Sequence, residues 1–174
     1  MNDRQPAPRD APTSKFGSVG TLDDGRKYVL FTRRWPHSIE TVWAAITDPE
    51  QLASWFPGIH LECREGGKFE IWFGEECEGP AHVSGIVGTY DPPNVLAMGT
   101  MRWELAAEGE GCVVTFTDIL AFGDSRSKTE FTNSVLGGWH KYLDQLEYAL
   151  IGGSSDPRSE PEFDYSTISV DGRD

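Results

Sequence analysis

The sequence has little positive charge and no long apolar run. Its 174 residues contain 15 Lys and Arg against 28 Asp and Glu, so the formal net charge is −13. A nucleic-acid-binding protein needs clustered cations to displace counterions from phosphate, and anionic lipids repel an acidic chain. We therefore expect no nucleic acid and no membrane among its partners. The longest apolar runs, such as residues 28–31, are far shorter than the roughly 20 residues that cross a bilayer.

Cysteine is also scarce, and the N-terminus lacks the features of a secretion signal. Cys63, Cys77 and Cys112 form no CxxC pair, which favours free thiols over a disulfide framework. Cys63, Cys77 and His82 do not have the paired close spacing of structural zinc ligands, so we expect no metal site. The basic start and apolar run of a signal peptide are missing. The sequence therefore predicts a cytoplasmic protein.

Several catalytic motifs are missing as well. The chain contains no GxSxG, no GxxxxGK[ST], no HExxH, and no GxGxxG after a strand. These absences argue against covalent hydrolysis, phosphoryl transfer and nucleotide-dependent redox chemistry. We expect no cofactor, and a binding role ahead of an enzymatic one.

Composition divides the chain into three parts. Residues 1–24 contain three prolines and few apolar residues, so they cannot offset the entropy lost on ordering and are predicted to be a flexible lead. Residues 153–174 are predicted to be an acidic, disordered tail, although their few apolar side chains also permit docking as an extended strand. The domain between them, residues 25–152, is long enough to bury a core.

The domain begins with a predicted strand and two short helices. Residues 26–35 are rich in β-branched and aromatic residues, and Pro36 forces an extended exit. Ser38 is placed to cap a helix whose apolar residues follow helical spacing. Asp48 is placed to cap a second helix, with Pro49 at its first position.

The rest of the domain predicts a sheet and one long helix. Residues 59–122 alternate with a period of two between Gly, Pro and Asn signals, which predicts about five antiparallel strands and six with the first. Ser127 and Glu130 form a capping box that opens a helix running toward residue 151. Apolar residues recur along this helix at steps of three and four, and they are Phe131, Val135, Trp139, Leu143, Leu146 and Leu150.

Several residues along this order also match a known family. They are Arg33, Trp35, Val42-Trp43, Thr47-Asp48-Pro49, Leu52, Trp55-Phe56-Pro57, Glu65-Gly66-Gly67, Pro92, Leu96, Gly138-Trp139, Tyr142-Leu143 and Leu146. With them the chain resembles the START-like (SRPBCC) superfamily, and within it the bacterial proteins similar to the C-terminal domain of the activator of Hsp90 ATPase. The resemblance implies an α+β helix-grip fold of the START/Bet v 1 type. A curved six-stranded antiparallel sheet would grip one long C-terminal helix.

The resemblance also implies a pocket between helix and sheet that takes a hydrophobic or amphipathic small molecule. Aromatic side chains supply much of either a ligand wall or a core, so simple packing is the alternative for each candidate. Two glycines inside the helix, Gly137 and Gly138, would be explained by a close backbone approach or a bend over a cavity. The candidate ligand-binding residues are Trp55, Phe56, Phe69, Ile71, Phe73, Phe116, Asp118, Val135, Gly138 and Trp139.

Two polar residues are weak candidates for catalysis. Asp118 shares a strand face with Val114, Phe116 and Leu120, where a carboxylate needs a partner or a raised pKa. His140 follows Trp139 on the long helix, where a histidine is more often a satisfied boundary residue than a catalyst. For Asp118, the alternative to a catalytic role is a solvated position at the end of the strand.

Three functions of different classes remain open from the sequence. The first is a non-enzymatic binding module for a hydrophobic small molecule. The second is a partner of an Hsp90-type chaperone, and the third is an enzyme resembling the superfamily's cyclases and dehydratases, with Asp118 or His140 as acid or base. Monomer and homodimer are both compatible with the sequence.

Overall fold

A computed structural model describes residues 15–73, 79–120 and 128–153. These residues form eight strands and three helices in an α+β arrangement. The strands are β1 (Ser18–Thr21), β2 (Lys27–Trp35), β3 (Ile59–Leu61), β4 (Lys68–Ile71), β5 (Val83–Asp91), β6 (Val95–Met98), β7 (Met101–Glu108) and β8 (Gly111–Ile119). The helices are α1 (Ile39–Thr47), α2 (Pro49–Trp55) and α3 (Lys128–Leu150).

All eight strands belong to one sheet in the order β1-β2-β8-β7-β6-β5-β4-β3, and every pair is antiparallel. Two tight turns join the central strands. Gly99 lies between β6 and β7 at a φ of 59°, and Gly109 lies between β7 and β8 at a φ of 60°. Glycine adopts this left-handed region without a steric penalty, which suits both short hairpin turns.

The two short helices begin where the sequence predicts. The Ser38 hydroxyl accepts a hydrogen bond from the Thr41 amide at 3.2 Å and caps α1. The Asp48 carboxylate accepts from the amides of Glu50 and Gln51, both at 3.1 Å, and caps α2. These side chains satisfy amide donors that have no partner inside the helix.

The long helix α3 packs on one face of the sheet, and α1 and α2 complete the core. Its fully buried apolar side chains are Leu136, Trp139, Leu143 and Leu146, which recur at three- and four-residue steps as an amphipathic helix requires. The predicted helix-grip fold is therefore confirmed. None of the helices in the described parts of the chain has the length and apolar character needed to cross a membrane.

The sheet has two strands more than the predicted six. One is β3, with three residues, and the other is β1, with four. Segments of this length are too short to display a period. The expectation of a flexible lead over residues 1–24 is wrong for β1, because Val19 pairs with Val29 and the strand extends the sheet. Residues 1–14, Ser127 of the predicted capping box, Cys77, and nearly all of the predicted tail lie outside the described residues.

Candidate functional site

A closed ring of five aromatic side chains lies between the sheet and the helices. Trp55 contacts Phe56 at a centroid distance of 5.6 Å, and Phe56 contacts Trp139 at 6.0 Å. Trp139 contacts Phe116 at 4.3 Å, and Phe116 contacts Trp103 at 4.5 Å. Trp103 closes the ring on Trp55 at 6.1 Å. All five side chains are buried, so this ring belongs to the core.

On one side of α3, two further aromatic side chains extend from this ring toward the solvent. Tyr142 lies one turn after Trp139, and its ring centroid is 4.3 Å from that of Phe56. Phe73 contacts both Phe56 and Tyr142, at 6.3 and 6.4 Å, and is 43% exposed. Val83 pairs with Ile71 on β4 and is also exposed. We call Phe56, Phe73, Trp139 and Tyr142 the aromatic flank of α3.

Glycines make room for one further buried ring, that of Phe69. A Cβ at Gly85 would lie 2.9 Å from the Phe69 ring, and a Cβ at Gly99 would lie 3.0 Å from it. Ordinary van der Waals contact between carbons begins near 3.5 Å. Because both positions are glycine, Phe69 can lie across β5 and the turn after β6 while staying buried.

Asp118 places a carboxylate at the edge of this apolar interface. It is half-buried near the end of β8. Its Oδ2 accepts a hydrogen bond from Trp139 Nε1 at 2.9 Å, and its Oδ1 accepts from the Thr100 hydroxyl at 2.7 Å. The bond to Trp139 puts the carboxylate on the face of the sheet that α3 covers. The predicted placement beside Phe116 and Leu120 is therefore confirmed.

Burial raises the pKa of the Asp118 carboxyl group, and the hydrogen bonds from Thr100 and Trp139 oppose that shift. Within the described parts of the chain, Asp118 forms no ion pair. Its two partners are neutral donors. The carboxylate is thus held in position without a compensating positive charge.

The opposite side of α3 carries a network of charged groups. Arg33, which is 5% exposed, donates from Nη1 to Asp144 Oδ1 at 2.9 Å and to Glu147 Oε2 at 3.2 Å. Its Nη2 lies 3.3 Å from His140 Nδ1. Lys15 Nζ approaches Asp144 Oδ2 at 3.5 Å. We call Arg33, His140, Asp144, Glu147 and Lys15 the charged flank of α3.

Both ring nitrogens of His140 have partners in this network. Nε2 lies 3.2 Å from Asp144 Oδ2, and Nδ1 lies 3.3 Å from both Arg33 Nη2 and the Lys15 carbonyl oxygen. In the neutral ring with its proton on Nε2, Nδ1 accepts from Arg33. Burial lowers the pKa of His140; the Arg33 charge adds to this effect, and Asp144 opposes it. Phe16 packs against the ring at 5.1 Å. The expectation of a satisfied boundary residue fits this arrangement better than that of a catalyst.

A shallow recess also lies on this side of the molecule, with a volume of about 320 Å³. It is lined by Lys15, Thr32, Arg33, Arg34, Trp35 and Glu147. None of the predicted ligand-binding residues lines it. The recess and the candidate site are therefore separate.

The predicted ligand-binding residues fall into three groups. Six are buried in the core, and they are Trp55, Phe56, Phe69, Ile71, Phe116 and Trp139. Phe73, Asp118 and Val135 retain exposure to solvent. Gly138 lies on the exposed side of α3, and a Cβ there would meet no other described part of the chain within 4 Å. A close backbone approach at Gly138 is therefore not found among the described residues, and the alternative, a bend over a cavity, stays a prediction.

Among the members of these clusters that sequence reasoning does not name as site residues are Tyr142, Thr100 and Arg33. Tyr142 belongs to the aromatic flank, and its position one turn after Trp139 was an available signal. Thr100 lies in a turn, and nothing in the sequence connects it with Asp118. Arg33 was noted as a family residue, but its burial depends on partners on α3. Among the described residues, no group of three potential metal ligands is brought together.

Known structures share this fold. CalU16 from Micromonospora echinospora is 23% identical with a TM-score of 0.58, over 77% of this chain and 83% of CalU16. The protein encoded by BPP1335 of Bordetella parapertussis is 23% identical with a TM-score of 0.58, over 92% and 96% of the two chains. Aha1 from Colwellia psychrerythraea, a dimer in solution, is 18% identical with a TM-score of 0.57, over 74% and 98%.

At these identities the similarity demonstrates the fold alone. No curated protein sequence matches the chain significantly. The sequence model of one family, described as activator of Hsp90 ATPase homolog 1-like protein, matches residues 36–150, about two thirds of the chain. That span runs from the end of β2 through the whole of α3. This chain therefore belongs to the activator of Hsp90 ATPase homolog 1-like protein family.

Proposed function

We propose that the protein is a binding module for a hydrophobic or amphipathic small molecule, held between α3 and the sheet along the aromatic flank. The observation that carries the proposal is the unbroken series of ring contacts from half-exposed Phe73 to buried Trp139, with Asp118 bonded to Trp139. Binding sites for small molecules typically combine apolar and aromatic walls with a few fixed polar groups.

Entry of a ligand requires movement of side chains at this flank. The rings of Phe56 and Tyr142 are in direct contact at 4.3 Å, so a ligand must separate Phe73 and Tyr142 from their neighbours. A site that opens in this way exists as a less populated conformation, and a ligand selects it by binding that conformation more tightly. Phe73 and Val83 are partly exposed, so the first contact forms without unfolding of the core.

A fluorescence titration with N-phenyl-1-naphthylamine, a neutral apolar probe, tests this proposal. We expect saturable binding to the native protein and about tenfold weaker binding to Phe73→Ser, since one aromatic contact surface is lost. The matched control is Ile86→Ser. Ile86 is 62% exposed and pairs with Lys68, so it lies on the outer face of the sheet.

Comparison of the two variants distinguishes a specific binding site from nonspecific binding to exposed apolar surface. Equal loss of probe binding in Phe73→Ser and Ile86→Ser would assign the binding to exposed apolar surface and refute the aromatic flank as the site. Absence of saturable binding to the unmodified protein would refute the binding function itself.

Membership of the family favours a second candidate, binding to an Hsp90-type chaperone. The net charge of −13 would favour a basic face on such a partner. Calorimetric titration with a bacterial Hsp90 at low salt, and again at 0.5 M salt, tests this candidate. Binding that weakens with salt would support it, and no binding at low salt would refute it.

The enzymatic alternative has less support from the geometry. Its two candidate groups belong to different clusters, since Asp118 is bonded to Thr100 and Trp139 while His140 is bonded within the charged flank. Among the described residues, neither one pairs with a second titratable group at the aromatic flank. Acid–base catalysis generally needs such a group positioned beside the reacting atoms.

A further inference from the structure

Among the described residues, no cation pairs with the Asp118 carboxylate. Its carboxylate oxygens accept one hydrogen bond each, from Thr100 and Trp139. An ionised carboxyl group has about four acceptor positions, so capacity for further donors remains. Buried or half-buried charges in folded proteins are usually paired. The described residues therefore leave acceptor capacity on Asp118 that a ligand could use.

None of the described residues that pair with Asp118 in the sheet or bond to its side chain is charged. Across β2 its register partner is Val29, and across β7 it is Met101, both buried. From α3 it meets Trp139, and from the turn after β6 it meets Thr100. Thr100 and Gly99 are exposed, which leaves the carboxylate accessible at this end of the sheet.

We propose that the ligand held at the aromatic flank carries a protonated amine that pairs with the Asp118 carboxylate. This inference rests on the proposed binding function and adds the chemical class of the ligand, an amphipathic cation. The ammonium group would occupy the free acceptor positions of Asp118. The apolar part of the ligand would extend along Trp139 and the aromatic flank.

Two further features favour a cation over an anion or a neutral molecule. A charge-assisted hydrogen bond contributes more than a neutral one, particularly where water is partly excluded. An anionic ligand would instead meet Asp118 as a like charge.

Displacement of bound N-phenyl-1-naphthylamine by decylamine, decanol and decanoate tests the inference at pH 7. The three competitors share one apolar chain and differ in the charge of the head group. We expect decylamine to displace the probe at a concentration about tenfold lower than decanol, and decanoate to be the weakest. All three are used below the concentrations at which they form micelles.

Asp118→Asn removes the charge and keeps an acceptor for Trp139 Nε1. In this variant we expect decylamine and decanol to become equal within about threefold while the probe still binds. Glu70→Gln is the matched control, because Glu70 is exposed on the outer face of β4 and the change in net charge is the same. It should retain the preference for decylamine.

A second measurement keeps the inference testable if Asp118→Asn does not fold. In the unmodified protein, acidification that protonates Asp118 should abolish the preference for decylamine over decanol. Equal displacement by the two at pH 7, with the probe bound normally, would overturn the ammonium assignment and leave the binding function standing. A preference for decylamine that persists in Asp118→Asn would also overturn it.

Discussion

The two flanks of α3 meet the rest of the molecule in different ways. On the aromatic flank, the rings of Phe56, Phe73 and Tyr142 contact one another, and Phe73 remains 43% exposed. On the charged flank, buried Arg33 is bound by three side chains of α3. Dispersion contacts are individually weak and non-directional, whereas paired charges require fixed geometry. Ring contacts can therefore shift more easily than the paired charges that hold the other side of the helix in place.

The largest effect on stability is expected at Trp139, which connects the five aromatic side chains of the core to Asp118. Trp139→Ala should lower the free energy of unfolding by about 3–5 kcal/mol, because it leaves a cavity and removes a donor from the carboxylate. Urea denaturation measures the change. Ile151→Ala, at an exposed position after α3, is the control and should differ from the unmodified protein by about 0.5 kcal/mol or less.

The charged flank should respond next most strongly, through Asp144. Asp144→Asn should lower the free energy of unfolding by about 2–3 kcal/mol, since it weakens the charge pairing of buried Arg33. The control is Glu108→Gln, which breaks an exposed ion pair with Arg34 of 3.2 Å and should lower it by about 1 kcal/mol or less. Equal changes in the free energy of unfolding would show that the ion pairs of the charged flank stabilise the fold no more than an exposed ion pair does.

Acidification should weaken the charged flank through His140, by less than Asp144→Asn does. The folded protein lowers the pKa of His140, so the unfolded chain binds more protons as the pH falls through about 6.5. The stability present above that pH is then lost on further acidification, because the charged His140 ring is partly desolvated and lies beside the Arg33 guanidinium. Urea denaturation between pH 8 and pH 5.5 measures how the free energy of unfolding changes with pH. We expect this pH dependence to be smaller in His140→Gln and unchanged in His60→Gln, whose site on β3 is exposed.

The smallest effect is expected on the side of α3 that belongs to neither flank. Gly138→Ala should raise the free energy of unfolding by about 0.5–1 kcal/mol, because alanine favours the helix and its Cβ meets open space. Gly99→Ala should have the opposite sign, since its φ is 59° and the Phe69 ring lies 3.0 Å from the added Cβ. A destabilising Gly138→Ala would indicate that this side of the helix is covered.

Elements with strong local signals were predictable from the sequence. The caps at Ser38 and Asp48, the strand ending at Trp35 and the buried stripe of α3 follow from side-chain chemistry and spacing over a few residues. The strands β1 and β3 were missed because segments of three or four residues carry no period. Their existence depends on an already formed neighbour to pair with.

The candidate site was predictable only in part, for a similar reason. The facing of Asp118 follows from strand alternation, which the sequence displays over residues 114–120. Its partners do not, because Thr100 and Trp139 reach it through strand register and helix docking. The exposure of Gly138 depends on how α3 is rotated against the sheet, which local spacing fixes only approximately.

The sequence by itself determined the scarcity of positive charge, the helix-grip order of elements and the apolar stripe of α3, since each depends on composition or local periodicity. The tertiary structure alone decided which residues of the sheet meet each side of the helix. Among the described residues, it brought Arg33 to Asp144 and left Asp118 with two neutral donors and no cation. These contacts join residues far apart in the chain, and their geometry arises only when the helix packs on the sheet in one rotation.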